Sequence, residues 1–326
     1  MLSSIVGFNP LDKGQEDQTF SRLEGASRKG VALARSQSEG QRIGLVIGMS
    51  TAEYGVDLRT LDQIDSGLKW AKVIGEHASF SNMLAIVRRV VEQGVKPERV
   101  LLCFHYGMFV GAERAPVSRS YLLSRVLSRA DDLNVFGEIS RAWGLTWIGR
   151  NRMPVVNVFE TQLGALRERS LTAFSQDAPA IYAPIDPFVD TKNTRTSRGP
   201  AAWAGRIALV KERGWQNEAA YAVGNEQVRA LQEVLPLLRA NVVLVLLPER
   251  SVLRELIPET RARAVLDQAI AEAKLPSPPI LDLRAALPDE EFVDEAHPTG
   301  AGRRHLSAVL KGELPTLFSL APQSDK

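Results

Sequence analysis

The chain has 326 residues, 44% of them hydrophobic and 24% charged, the make-up of a globular protein with room for one large α/β domain or two small ones. A formal net charge of +2, with no clustered basic patch or binding motif, gives no footing for nucleic-acid binding. No stretch approaches the roughly 18 consecutive apolar residues of a membrane span, so no integral membrane segment is expected.

Residues 1–40 are polar and rich in Ser, Gln and Gly, with a weak helical pattern over 20–34, and read as an N-terminal arm on a domain spanning 41–326. They lack the basic-then-apolar order of a signal peptide, so the chain as written is expected to be cytoplasmic, and extracytoplasmic if the natural start lies upstream. The run Arg42-Ile43-Gly44-Leu45-Val46-Ile47-Gly48-Met49-Ser50-Thr51 is apolar up to Gly48 and then delivers a hydroxyl residue. Such a run suits a parallel strand covered on both faces, and ligands of open parallel sheets bind outside the carboxyl ends of the strands. Ser50 stands at such an end, and Gly48 is read as the residue that lets the backbone turn there.

A helix is predicted over 56–64, a strand over 68–74 closed by Gly75, a helix over 80–93 capped by Gly94, and a strand over 99–104. Cys103 lies inside this last apolar run, the place of a buried structural thiol rather than a reactive one; as the only cysteine it can form no internal disulfide. From 105 to 215 the rhythm breaks into helical pieces at 118–127 and 159–171 joined by Pro- and Arg-rich loops. This insertion follows a strand's carboxyl end and can arch over the crevice. Its basic run of Lys192, Arg195, Arg198 and Arg206 is either a solvated loop or a contact for an anionic substrate. Trp143, Trp147, Trp203 and Trp215 either pack the cap or line a pocket. Regularity returns with a helix over 219–238, a strand over 241–248, a helix over 251–272, a short strand over 280–283 and a closing helix over 302–310. Five parallel strands flanked by helices make a flavodoxin-like three-layer α/β/α sandwich with a large helical and loop insertion after the third strand.

A lone Ser after a strand is most often a cap or turn residue. Its meaning changes with the segment Phe292-Val293-Asp294-Glu295-Ala296-His297-Pro298-Thr299-Gly300-Ala301-Gly302. Asp294, three residues before His297, can hold the Nδ1 proton and leave Nε2 free to take a proton from a hydroxyl. Ser50, Asp294 and His297 are therefore the candidate catalytic residues. Ser50 is followed by Thr51 and Ala52, which excludes the Gly-x-Ser-x-Gly nucleophile elbow, and the missing glycines and lysine exclude a phosphate-binding loop. His77, His105 and His305 have no metal-ligand spacing, and no metal or other cofactor is expected. Asp57 and Asp62 read as helix-start and surface carboxylates.

Gly48-Met49-Ser50 after a first strand, with Asp294-Glu295-Ala296-His297-Pro298 and Gly302 before the last helix, resembles the SGNH (GDSL-like) hydrolase superfamily. The spacing Gly48-x-Ser50-Thr51-x-x-x-Gly55-Val56-Asp57 resembles the branch containing the D-alanyl transfer and alginate O-acetylation proteins. The resemblance covers 42–109 and 240–310 and leaves the insertion out. It implies a Ser50–His297–Asp294 triad, an acyl-enzyme on Ser50, and transfer of an acyl group, acetyl above all, between a glycan or glycolipid ester and water or an acceptor hydroxyl. The family's oxyanion donors include the nucleophile's own amide, a glycine after the second strand and an asparagine after the third. The match here is Ser50 and Gly75, but Phe104-His105-Tyr106-Gly107 holds no asparagine, so His105 or Tyr106 would have to substitute. The competing expectation is a non-catalytic domain of the same fold that binds carbohydrate or a partner protein in the crevice.

Overall fold

In the computed structural model, described for residues 28–75, 80–105, 186–190, 192–197, 241–256 and 278–320 and for positions 26, 204, 207, 208, 235, 236, 238, 263, 266–268, 270 and 271, five strands form one sheet. They are β1 (Ile43–Gly48), β2 (Lys69–Ile74), β3 (Arg99–Phe104), β4 (Asn241–Leu246) and β5 (Ile280–Asp282). Their order is β2-β1-β3-β4-β5, and every neighbouring pair is parallel. This is the doubly wound order whose switch point, and crevice, lie between β1 and β3. The register sets Gly48 beside Ile74 and Ile47 beside Leu102, so the strands around Ser50 end at one level.

The helices are α1 over 28–38, α2 (Ser50–Gly55), α3 (Leu58–Ile64), α4 (Phe80–Glu92), α5 (Ser251–Leu256) and α6 (Gly300–Leu320). Alternation along the strands divides the core. Val46, Trp70, Leu101, Cys103, Val243 and Val245 pack with Leu58, Leu61, Leu306, Leu310, Leu314 and Phe318 of α3 and α6. The intervening Leu45, Ile47, Val73, Leu102 and Leu244 are just as buried and point the other way, where α4 lies against β1 and β2 with Met83, Ile86, Val87 and Val90 inside. Each such large side chain contributes about 1.5–3 kcal/mol on burial. The α1 helix belongs to this second layer, since Leu33 is fully buried and Gly30 lies against Val90 and Gln93.

The expected α/β sandwich is therefore present, with helices on both faces. Two elements differ from expectation. The helix predicted over 56–64 begins at Leu58, because Asp57 is extended and its Oδ1 accepts the Arg59 N–H at 3.0 Å, capping α3; a further short helix, α2, opened by Ser50, precedes it. The last helix begins at Gly300 and continues to Leu320 through Pro315. Pro315 is exposed, where water can serve the carbonyl it leaves open, and burial of Leu314 and Phe318 prolongs the apolar stripe. The helical pieces predicted at 118–127 and 159–171 lie outside the described residues, as do Trp143, Trp147, Trp203, Trp215, Arg198, Arg206 and most of 219–238. Among the described residues no helix is long and apolar enough to cross a membrane.

Candidate active site

Ser50 sits where strand becomes helix. Met49 is extended, and its carbonyl accepts from Ala52 N at 2.9 Å and Glu53 N at 3.1 Å, which starts α2 with Ser50 as its first residue. The amides of Ser50 and Thr51 therefore open the helix, where no earlier turn supplies carbonyls to them. Gly48 is needed for space. A Cβ there would stand 2.7 Å from Ala52 Cβ and 3.0 Å from Cys103 Cβ, so only glycine lets α2 fold this tightly over the strand ends.

The opposing loop is built around Asp294. Its Oδ1 accepts from the backbone N–H of Ala296 at 3.2 Å and of His297 at 2.9 Å, a local turn that points the imidazole back at the carboxylate. The loop is closed by Val293 N donating to His297 O at 2.8 Å and tied to the segment between β4 and α5 by Arg250 N donating to Glu295 O at 3.0 Å. Thr299 then caps α6, its Oγ1 accepting the Gly302 N–H at 3.1 Å.

These two loops, 247 residues apart in sequence, place Ser50 Oγ 2.7 Å from His297 Nε2. His297 Nδ1 is 2.8 Å from both oxygens of Asp294. Ser50 is buried, and the side chains of His297 and Asp294 are 18% and 13% exposed, enough for a ligand to reach while water is largely held off. Burial would raise the Asp294 carboxyl. The hydrogen bond and charge of His297, with the N–H groups of His297 and Ala296, more than offset it and hold the group at about 2, so it is ionised throughout the working pH range. With the Nδ1 proton directed to Asp294, Nε2 is left as an acceptor for the Ser50 hydroxyl. The Tyr54 ring stands edge-on to His297, with centroids 6.0 Å apart, and Arg195 lies over the Tyr54 face at 3.5 Å.

The remaining site residues fall differently. Gly75 is buried at the end of β2, and its N–H donates to the Gly48 carbonyl at 2.9 Å, one more rung of the ladder. His105 is buried just past β3, its Nε2 3.3 Å from Glu249 Oε1. Burial, reinforced by nearby His297 and partly opposed by Asp294, pushes the His105 imidazole down to about 3, so its contact with Glu249 is that of a neutral ring. Tyr106 and His77 lie outside the described residues. Cys103 is fully buried, and burial pushes its thiol up to about 12, which makes it inert. His305 is exposed and bonded to Glu291. Lys192 and Arg195 of the basic run are exposed. Among the described residues no group of three or more His, Cys, Asp or Glu side chains could hold a metal ion.

Sequence reasoning passed over Tyr54, Glu249, Lys72, Asp190 and Asn193. Two carried a signal: Lys72 is a charge inside an apolar strand, and Glu249 follows the Pro248 that ends the β4 run. No protein-family model and no curated protein matches this chain.

Proposed function

We propose that this protein is a serine esterase or O-acyltransferase of SGNH type, acting on acyl esters, acetyl esters foremost, of a glycan or glycolipid. The observation that carries the reading is the continuous chain from Ser50 Oγ through His297 to Asp294, with both links at hydrogen-bond length. Proposed steps follow from it. As Ser50 Oγ attacks the ester carbonyl, its proton passes to His297 Nε2, and Asp294 stabilises the imidazolium. Collapse breaks the ester C–O bond, His297 returns the proton to the departing alcohol, and the acyl group stays on Ser50. Water or an acceptor hydroxyl then attacks, giving its proton to His297, which hands it back to Ser50. The helix-opening amides are the natural donors for the oxyanion.

Incubation with a fluorophosphonate probe and a short p-nitrophenyl ester tests this. Wild type should gain one adduct at Ser50 and release nitrophenolate, while Ser50→Ala and His297→Ala should lose both. A folded wild type that neither labels nor turns over would sink the catalytic proposal. The competing proposal, a non-catalytic domain binding carbohydrate or a partner protein in the same crevice, is favoured by His105 in place of an asparagine and by the commitment of the Gly75 N–H to Gly48. It predicts glycan or partner binding without labelling.

A further inference from the structure

Within the long insertion, the segment 186–197, described except at residue 191, passes beside the triad as a strap. Asn193 within it is half-buried and uses its amide fully. Nδ2 donates to Tyr54 O at 2.9 Å and to Pro298 O at 3.0 Å, and Oδ1 accepts from Arg195 N at 3.1 Å. Tyr54 belongs to the helix that Ser50 opens, and Pro298 directly follows His297. One side chain thus bridges the two segments whose separation sets the Oγ–Nε2 distance.

The bridge is held from both sides. Downstream, Gly300 N donates to Arg195 O at 3.1 Å, and a Cβ on Gly300 would lie 2.6 Å from Asn193 O, so the strap's approach requires glycine at that position. Upstream, Pro187 O accepts the Lys72 N–H on the open edge of β2 at 3.1 Å. Asp190 accepts from Leu58 N at 2.9 Å, from the buried Lys72 Nζ at 2.6 Å and from Arg303 Nη2. Lys72 Nζ also donates to Glu53 O in α2 at 2.7 Å. The strap is anchored in the same cluster that fixes the serine helix.

We propose that Asn193 is a positioning residue for the triad, spanning the Ser50 helix and the His297 loop so that Oγ and Nε2 stay within hydrogen-bond reach. The proposal rests on the hydrolase reading for its catalytic consequence but not for its geometry. A residue that merely fills space would be replaced best by an isostere, whereas a two-carbonyl bridge needs two N–H donors. Aspartate has the shape of asparagine and presents only acceptors to the carbonyls of Tyr54 and Pro298.

The test compares full-length wild type, Asn193→Ala and Asn193→Asp. Fluorophosphonate labelling of Ser50 should slow about tenfold in Asn193→Ala, the order carried by two hydrogen bonds, and further in Asn193→Asp. For p-nitrophenyl acetate kcat should fall with KM unchanged, and thermal midpoints should drop by only a few degrees, the variants staying folded at the assay temperature. By NMR, the His297 Nδ1 proton, assigned by its loss in His297→Gln, should exchange faster with water in both variants. Wild-type labelling and wild-type proton exchange in Asn193→Asp would overturn the proposal. If wild type itself fails to label, the hydrolase reading falls; the proton-exchange comparison still decides the positioning role, faster exchange supporting it and equal exchange overturning it.

Discussion

Asp294 shows how much one side chain can arrange when its partners lie close in sequence. Its carboxylate takes two backbone N–H groups of its own turn and the Nδ1 proton of His297, so the same contacts that fold the loop choose the imidazole tautomer. Replacing Asp294 with Asn keeps the shape and the backbone acceptor. It also offers Nδ1 a donor, which turns the ring to the tautomer with its proton on Nε2, pointing at Ser50. Labelling of Ser50 should then fall by about 10³–10⁴-fold with the thermal midpoint little changed. Labelling at the wild-type rate would mean that Asp294 shapes the loop and nothing more. This part of the site was legible in the chain, since an Asp–x–x–His spacing needs only a local turn. The neighbours of the triad were not legible: Tyr54 meets His297, and Asn193 meets Tyr54, through contacts across 243 and 139 residues that no local pattern encodes.

At the scale of elements, the strands were readable because β1, β3 and β4 are short runs, mostly apolar, buried on both faces, and the ends of all five strands fall within about two residues of expectation. The strap over 186–197 was opaque because charge, not hydrophobicity, holds it. Its Asp190 neutralises Lys72, 2% exposed, and Arg303, 7% exposed, and burial lowers the Lys72 pKa despite the nearby Glu53 and Asp190. Removing one member of such a cluster strands the others in a poorly solvated place. Asp190→Ala should therefore cost about 3–5 kcal/mol in urea unfolding, far more than the ≲1 kcal/mol of a surface pair. The double change Lys72→Met with Asp190→Leu should recover much of that loss, because Arg303 keeps Asp57 at 3.9 Å and apolar groups fill the space. A small cost for Asp190→Ala would show instead that the strap is loosely held.

For the whole molecule, the fold brings to one crevice two titratable groups whose folded pKa values both lie below the ordinary ones, and both weaken the fold in acid. Three strand ends line it, Ser50 after β1, His105 after β3 and Glu249 after β4, with the loop of Asp294 and His297 laid across by its bond from Arg250. The sandwich and its crevice could be anticipated from the order of apolar runs, whereas the burial of His105 could not, because it depends on how the β3 and β4 ends close over it beside Glu249, His297 and Asp294. The His105 imidazole sits at about 3 when folded against an ordinary value of 6.5. The unfolded chain therefore takes up a proton at that residue below about pH 6.5 that the native protein refuses, and stability drains as pH falls toward 3. Asp294 works later: its folded value of about 2 lies below the ordinary 3.8, so its contribution is whole above 3.8 and is lost as pH falls through 2. Urea unfolding measured at intervals from pH 7 to pH 4 should thus show a decline in wild type that begins near the ordinary histidine range, before any loss from Asp294. His105→Asn, which cannot titrate, should flatten that decline while leaving the stability at pH 7 within a few kcal/mol of wild type. An identical slope in the variant would mean that His105 takes its proton in the folded state, and the crevice would then carry a charge beside His297 that opposes the base role proposed for it.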